Sequence, residues 1–183
     1  MLLKLVFSGF GGQGVLMMGY VLAFAAMEED RHVTFLPAYG AEMRGGTANC
    51  TVVISDKEIA SPVASHPDVV VAMNYPSMVK YQNMVKSGGF VFLNSDLISE
   101  DLPRADVKVV KVPANALAHE MGNDRVLNLI MLGAVAAVTG IVSPDGLEKA
   151  VGKVLEGKKQ ALIDINRAAL ANGREFINSG RSA

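Results

Sequence analysis

Apolar residues along this chain occur in short runs that alternate with longer helical patterns. The first run, at residues 2–7, leads through a glycine-rich stretch into an apolar helical segment at 15–27. Further short runs lie at 33–36, 48–55, 69–73, 90–94 and 107–112, and Gly, Pro, Asp or Ser residues bound them. Short apolar runs with such boundaries are typical of buried strands. The pattern therefore predicts an α/β protein that begins with a strand, a glycine loop and a helix.

The connection between the runs at 33–36 and 48–55 is polar and glycine-rich, with no helical pattern. Two strands joined without a helix pair antiparallel, so we expect a mixed, mostly parallel sheet with a hairpin at one edge. Later helices are predicted at about 76–86 and 126–140, from a cap at Ser143 to residue 156, and at about 158–172. The expected fold is a Rossmann-like, three-layer α/β/α sandwich with a helical C-terminal third, formed as one domain by residues 1–183.

The glycine loop has the sequence GFGGQG, and Gly9, Gly11 and Gly14 fit the three glycine positions of the dinucleotide fingerprint. NAD recognition also needs an acidic residue after the second strand, to bind a ribose hydroxyl. Here Glu28 and Glu29 precede that strand, and Pro37 and Ala38 follow it. We therefore favour another phosphate-bearing ligand or an interface at this loop, over a purely structural turn and over NAD.

A second loop, at residues 37–47, combines Arg44 with the adjacent glycines Gly45 and Gly46. A guanidinium binds carboxylate or phosphate oxygens in a bidentate manner, and glycines let the backbone approach closely. The alternative is an edge loop in which Glu42 and Arg44 form a weak surface ion pair. Both loops are predicted to lie at the carboxyl ends of the strands, where open α/β sheets bind ligands.

Composition excludes several classes of protein. The formal net charge is −1 and the basic residues are scattered, so no nucleic-acid footprint is present. A single cysteine, Cys50, and three separated histidines predict no disulfide, no metal site and no iron–sulfur cluster held by this chain alone. Residues 126–142 fall short of the ~20 needed to cross a membrane, and the N-terminal run is too short for a signal peptide. A cytoplasmic protein is expected.

Half of the residues are hydrophobic, which predicts either a well-filled core or an apolar surface against another chain.

The two loops together carry a family resemblance. GFGGQG after the first strand, with YGAEMRGG at 39–46, resembles the gamma subunit or gamma domain of 2-oxoacid:ferredoxin oxidoreductases, and the stretches at 61–74 and 125–134 extend it over most of the chain. The resemblance implies a subunit of a complex that oxidatively decarboxylates a 2-oxoacid to an acyl-CoA and reduces ferredoxin. Such a complex uses thiamine diphosphate, Mg²⁺, iron–sulfur clusters and coenzyme A. The implied partners are thiamine-binding alpha and beta subunits and a ferredoxin-like cluster subunit or domain.

On this interpretation the chain contributes no catalytic residue, binds no cofactor alone and is inactive in isolation. We expect one edge to meet coenzyme A phosphates, the thiamine-binding subunits, or both, through Gly9, Gly11, Gly12, Gln13, Gly14, Arg44, Gly45 and Gly46. Two alternatives stay open: a stand-alone nucleotide-binding protein that uses NAD(P) or FAD, and a pure assembly module whose glycines only permit close packing. Apolar surface also leaves room for a homo-oligomer of the isolated chain.

Overall fold

A computed structural model describes residues 1–39 and 46–180 of the chain. The strands within those residues are β1 (Leu2–Phe10), β2 (His32–Tyr39), β3 (Thr47–Ser55), β4 (Val69–Ala72), β5 (Phe90–Asn94) and β6 (Lys108–Val112). The α-helices are α1 (Val15–Glu28), α2 (Tyr75–Tyr81), α3 (Ala114–Glu120), α4 (Leu127–Thr139), α5 (Pro144–Val154) and α6 (Gln160–Asn178). Two 3₁₀ turns lie at Gln82–Met84 and Asp124–Val126.

The strands form one six-stranded sheet in the order β2-β3-β1-β4-β5-β6. β3 runs antiparallel to both of its neighbours, β2 and β1, while β4 pairs parallel with β1, β5 with β4, and β6 with β5. The predicted mixed, mostly parallel sheet is confirmed, and so are the β2–β3 hairpin at its edge and the helical last third. Because only β3 is reversed, the other five strands end at the same edge.

The two faces of the sheet are covered unequally. On one face a large core joins strand residues such as Phe7, Val71 and Phe92 to side chains of α1, α4, α5 and α6. On the other face a smaller core surrounds Val70 and is closed by α2, the following 3₁₀ turn and nearby loops. α2 has only seven residues, so this second layer is thin.

Several boundaries differ from the sequence prediction. β1 continues through Phe10, because its ladder with β3 extends to a pair between Phe10 and Thr47. β2 continues through Pro37 to Tyr39, which was expected to be loop, because an edge strand tolerates a residue without an N–H group. The predicted helix at 76–86 ends at Tyr81, and Lys86 N instead donates to Pro67 O at 3.0 Å.

α6 also extends past its predicted end at residue 172, because its added turns pack on α4. At this crossing a Cβ on Gly133 would lie 2.1 Å from Leu170 O, and a Cβ on Gly173 would lie 1.9 Å from Ile130 O. Two glycines, one on each helix, therefore bring the helix backbones into direct contact.

Candidate functional site

The glycine loops meet at the carboxyl edge of the sheet. Gly9 lies in β1, and Gly11, Gly12, Gln13 and Gly14 form the turn between β1 and α1. Gly11 N donates to Gly46 O at 3.0 Å, which joins this turn to the end of the second loop. The structure thus brings six of the eight predicted residues together; Arg44, Gly45 and also Glu42 lie outside the described residues.

Gly9 and Gly14 are required by packing inside the chain. A Cβ on Gly9 would lie 2.6 Å from Gln13 Oε1 and 2.9 Å from Met73 Cβ. Gly14 has φ +70°, and a Cβ there would lie 2.4 Å from Asn128 Nδ2. These two positions of the fingerprint therefore fix how the loop folds against β4 and α4, and they do not face an open site.

Gly12 is different, because it is exposed and has open space around it. Its φ is +99°, and no heavy atom lies within 4 Å of the position that a Cβ would take. Next to it, α1 begins at Gly14 without a side-chain cap and without an acidic residue in its first turn. The first N–H groups of a 14-residue helix and its positive dipole end favour a negatively charged group at this place.

Gln13 closes the turn with its side chain. Its Oε1 accepts hydrogen bonds from Phe10 N at 2.7 Å and from Asn74 Nδ2 at 3.1 Å, and its Nε2 donates to Met73 O at 3.1 Å. Both lone pairs of the carbonyl oxygen are used in these bonds, while the amide group keeps one N–H. The side chain of Gln13 therefore links the turn to the end of β4 by hydrogen bonds.

Asn74, which directly follows the apolar run at 69–73, is the cap of α2. Its Oδ1 accepts from Ser77 N at 3.0 Å at the start of α2, while its Nδ2 donates to Gln13. Below it, Ser8 Oγ donates to Ser77 Oγ at 2.9 Å in a buried contact. One asparagine thus holds both the helix start and the glycine turn.

Two further asparagines complete this edge, of which the sequence analysis missed Asn94. Asn94, at the end of β5, is fully buried; its Nδ2 donates to Asn115 Oδ1 at 2.8 Å and reaches Met73 O at 3.4 Å. Asn128 donates to Gly14 O at 3.3 Å. Within the described residues, Oδ1 of Asn94 and Oδ1 of Asn128 have no donor. The only sequence signal for Asn94 is its position directly after a buried strand.

Glu29, one of the acidic residues before β2, makes its contacts at the end of α1 and not at the carboxyl edge. Glu29 Oε1 accepts from Ser143 N at 2.8 Å and from Ser143 Oγ at 2.6 Å, so it ties the end of α1 to the start of α5. Glu29 is therefore engaged at α5 and is not placed to bind the ribose of NAD.

Within residues 1–39 and 46–180, no three His, Cys, Asp or Glu side chains are grouped so that they could hold a metal ion. Cys50 is fully buried, and burial raises the pKa of its thiol from 9.0 to about 12. An inaccessible, protonated thiol is unsuited to ligate a cluster. No helix in the described part of the chain is long and apolar enough to cross a membrane.

A family model for pyruvate ferredoxin/flavodoxin oxidoreductase matches residues 4–176. The chain belongs to this family. The ketoisovalerate oxidoreductase subunit VorA of Methanothermobacter thermautotrophicus is 40% identical over 171 residues, which cover 92% of this chain and 35% of VorA. The chain therefore spans about a third of the length of that curated relative.

Solved structures share the fold over the whole chain. A keto/oxoacid ferredoxin oxidoreductase gamma subunit from Geobacter sulfurreducens has a TM-score of 0.82 and 31% identity, covering 97% of this chain and 99% of its own. A 2-oxoglutarate:ferredoxin oxidoreductase from Magnetococcus marinus, with 2-oxoglutarate, coenzyme A and succinyl-CoA bound, has a TM-score of 0.90 and 22% identity, covering 100% of this chain and 32% of its own. The same fold thus occurs as a separate subunit and as part of a longer chain.

Proposed function

We propose that this chain is the gamma-type subunit of a cytoplasmic 2-oxoacid:ferredoxin oxidoreductase complex, which converts a 2-oxoacid and coenzyme A to an acyl-CoA, CO₂ and reduced ferredoxin. The observation that carries the proposal is the match to a separate gamma subunit over nearly the full length of both chains. One similar protein is named for ketoisovalerate and another for 2-oxoglutarate, so the 2-oxoacid is left unassigned.

The carboxyl edge is the part of the chain that we assign to coenzyme A and to partner subunits. The start of α1 has no side-chain cap, Gly11 is exposed and Gly12 has open space around it, and these features support a close approach by a phosphate group or by another backbone. Arg44 and Gly45 complete this assignment from the sequence, since a guanidinium pairs with phosphate oxygens. Gly9, Gln13 and Gly14 make contacts inside the chain, and these contacts fix the conformation of the turn.

Thiamine diphosphate with its Mg²⁺, and the iron–sulfur clusters, do not fit the residues of this chain. Among the described residues there is no group of side chains suited to a metal ion, and the one cysteine of the sequence is buried and protonated. These cofactors belong in our proposal to alpha, beta and cluster-bearing partner chains. No catalytic step is therefore assigned to this chain.

The competing function is a pure assembly module, in which the edge contacts only protein. It is favoured by Gly9 and Gly14, since both are explained by packing inside the chain. The stand-alone nucleotide-binding alternative is weaker, because Glu29 caps α5 instead of facing the carboxyl edge.

Anaerobic affinity purification of the tagged chain from its native host tests the proposal. Thiamine-binding and cluster-bearing chains should co-purify, and the preparation should reduce a viologen dye with a 2-oxoacid only when coenzyme A is present. Recovery of the chain alone with a tightly bound nucleotide would contradict the subunit assignment.

A pair of arginine variants then separates ligand contact from assembly. Arg44→Ala should raise the KM for coenzyme A about tenfold if the guanidinium binds a phosphate. Arg174→Ala is the matched control, because Arg174 lines a cavity near Gly140 at the far end of α4. An unchanged KM together with weakened co-purification in Arg44→Ala would favour the assembly module.

A further inference from the structure

Two polar side chains, Gln13 and Asn74, connect the glycine turn to the start of α2. Gln13 contributes bonds to Phe10 N and to Met73 O, and Asn74 adds the bond that joins the two side chains. Asn74 is at the same time the cap of α2. A single pair of amides therefore fixes the turn both to β4 and to α2.

We propose that Gln13 and Asn74 are positioning residues, which make the turn at residues 10–13 and the first turn of α2 move as one unit. This unit, in turn, sets how coenzyme A or a partner chain approaches the edge, so the inference rests on the proposed function. Two residues of this unit, Phe10 and Tyr75, are 38% and 43% exposed, and they are next to the linked amides. The substrate-facing surface thus includes the start of α2 as well as the glycine loop.

The need for such a link follows from the sequence of the turn. Gly11, Gly12 and Gly14 give its backbone a wide range of conformations, and ordering that backbone costs conformational entropy. Among the described residues, the backbone N–H groups of the turn make two hydrogen bonds, from Gln13 N to Phe10 O at 3.1 Å and from Gly11 N to Gly46 O at 3.0 Å. The side-chain bonds of Gln13 add three more.

Burial makes the Asn74 end of the link effective, whereas the bond from Phe10 N to Gln13 Oε1 is exposed and the other two bonds of Gln13 are partly buried. Asn74 is 3% exposed, and the serine pair beneath it, Ser8 and Ser77, is 2% exposed at each residue. Water therefore does not replace a lost partner readily, and an unpaired buried amide is destabilising. The link continues to β5, because Met73 O is shared by the amides of Gln13 and Asn94. If Gln13 were displaced, Met73 O would keep only the longer hydrogen bond, from Asn94 Nδ2 at 3.4 Å.

The test uses two substitutions that remove the link, one that keeps the cap of α2 and one that removes all three hydrogen bonds of the Gln13 side chain. Asn74→Ser retains a neutral cap for α2, since serine caps helices about as well as asparagine. Gln13→Met keeps the side-chain length without the hydrogen bonds. The double variant shows whether both act through one link, because non-additive effects identify residues that act together. Asn83→Ser, at an exposed position in the 3₁₀ turn after α2, is the matched control.

Two measurements are made on the chain in its purified form, with any partners attached. Hydrogen exchange of residues 10–14 reports the link itself, and should accelerate about tenfold in each single variant while residues 75–81 stay protected in Asn74→Ser. The KM for coenzyme A, or the dissociation constant of the partner chains, should rise about fivefold to tenfold with kcat within about twofold. The double variant should be no worse than Gln13→Met alone, because that variant already lacks the link together with the other two bonds of Gln13.

Unchanged exchange at residues 10–14, or effects that multiply in the double variant, would overturn the link. Faster exchange with unchanged KM and unchanged assembly would overturn the positioning role. Failure of the proposed function is seen separately, because it shows in the unmodified chain as absence of partners and of coenzyme-A-dependent activity, before any variant is made.

Discussion

Gly14 differs from other glycines with positive φ because a neighbouring side chain occupies its Cβ position. We expect Gly14→Ala to lower the free energy of unfolding by about 2–3 kcal/mol, from backbone strain at φ +70° and from contact with the Asn128 amide. Gly88→Ala is the control, since Gly88 has φ +78° and nothing within 4 Å of a Cβ. Urea unfolding of both variants measures the difference. Equal losses would show that the Asn128 contact contributes nothing.

Cys50 makes stability depend on pH in the alkaline range. The unfolded thiol loses its proton near pH 9.0, while the folded thiol keeps it to about 12, so the folded state binds more protons between these values. Stability from this residue is therefore complete below pH 9.0 and falls as pH rises, by about 1.4 kcal/mol per pH unit. Urea unfolding at about pH 8 and about pH 10 should show a larger loss for the native chain than for Cys50→Ala.

The same burial predicts that Cys50 is inert in the folded chain. A thiol reagent at neutral pH should label it only after denaturant is added, because its thiolate is scarce and the sulfur is inaccessible. Rapid labelling without denaturant would contradict the buried position.

How far the site was predictable depends on the kind of residue. The glycine spacing in the sequence predicted the turn between β1 and α1, and strand order placed both loops at one edge, as the bond between Gly11 and Gly46 confirms. The side-chain role of Gln13 was not predictable, because its partner Asn74 lies 61 residues away. Asn94 and Asn115 were missed for the same reason: their contacts depend on which strands become neighbours.

At the scale of elements, the crossing of α4 and α6 depends on direct backbone contact. Gly173→Ala should lower the free energy of unfolding by about 2–3 kcal/mol, because a Cβ 1.9 Å from Ile130 O forces the helices apart. Gly152→Ala in α5 is the matched control: its Cβ meets only the end of the flexible Arg167 side chain, and alanine favours the helix. Thermal or urea unfolding measures both. Equal stability of the two variants would contradict the close crossing.

Element boundaries show a similar division between local and distant causes. The start of α5 was predicted from Ser143 and Pro144, and Ser143 Oγ does accept from Gly146 N at 3.0 Å. The contribution of Glu29 to this cap was not predictable, since it comes from the end of α1, 114 residues earlier. β2 was predicted too short because its ladder with β3, and not local sequence preference, carries it through Pro37.

For the molecule as a whole, the sheet leaves its β2 edge open among the described residues. Pro37 is the one protective residue among residues 33–39 of β2, since none of them is charged, and Leu36 is 43% exposed. We expect the isolated chain to self-associate through this edge. Sedimentation over a range of concentrations should show a rising average mass for the native chain and a monomer for Leu36→Lys.

Leu162→Lys provides the comparison, because Leu162 is 40% exposed on α6, away from the sheet edge. It should self-associate like the native chain. The same loss of association in both lysine variants would point to net charge as the cause, and a monomeric native chain would contradict the expectation.

The contacts that join the glycine turn to β4, β5 and α3 are made by amides, hydroxyls and backbone groups. Gln13, Asn74, Asn94 and Asn115 have no proton to gain or lose in the range in which proteins stay folded. These amide contacts therefore need no change of protonation to form. A pH optimum of the proposed complex would therefore come from other groups, which could change charge while these hydrogen bonds stay in place.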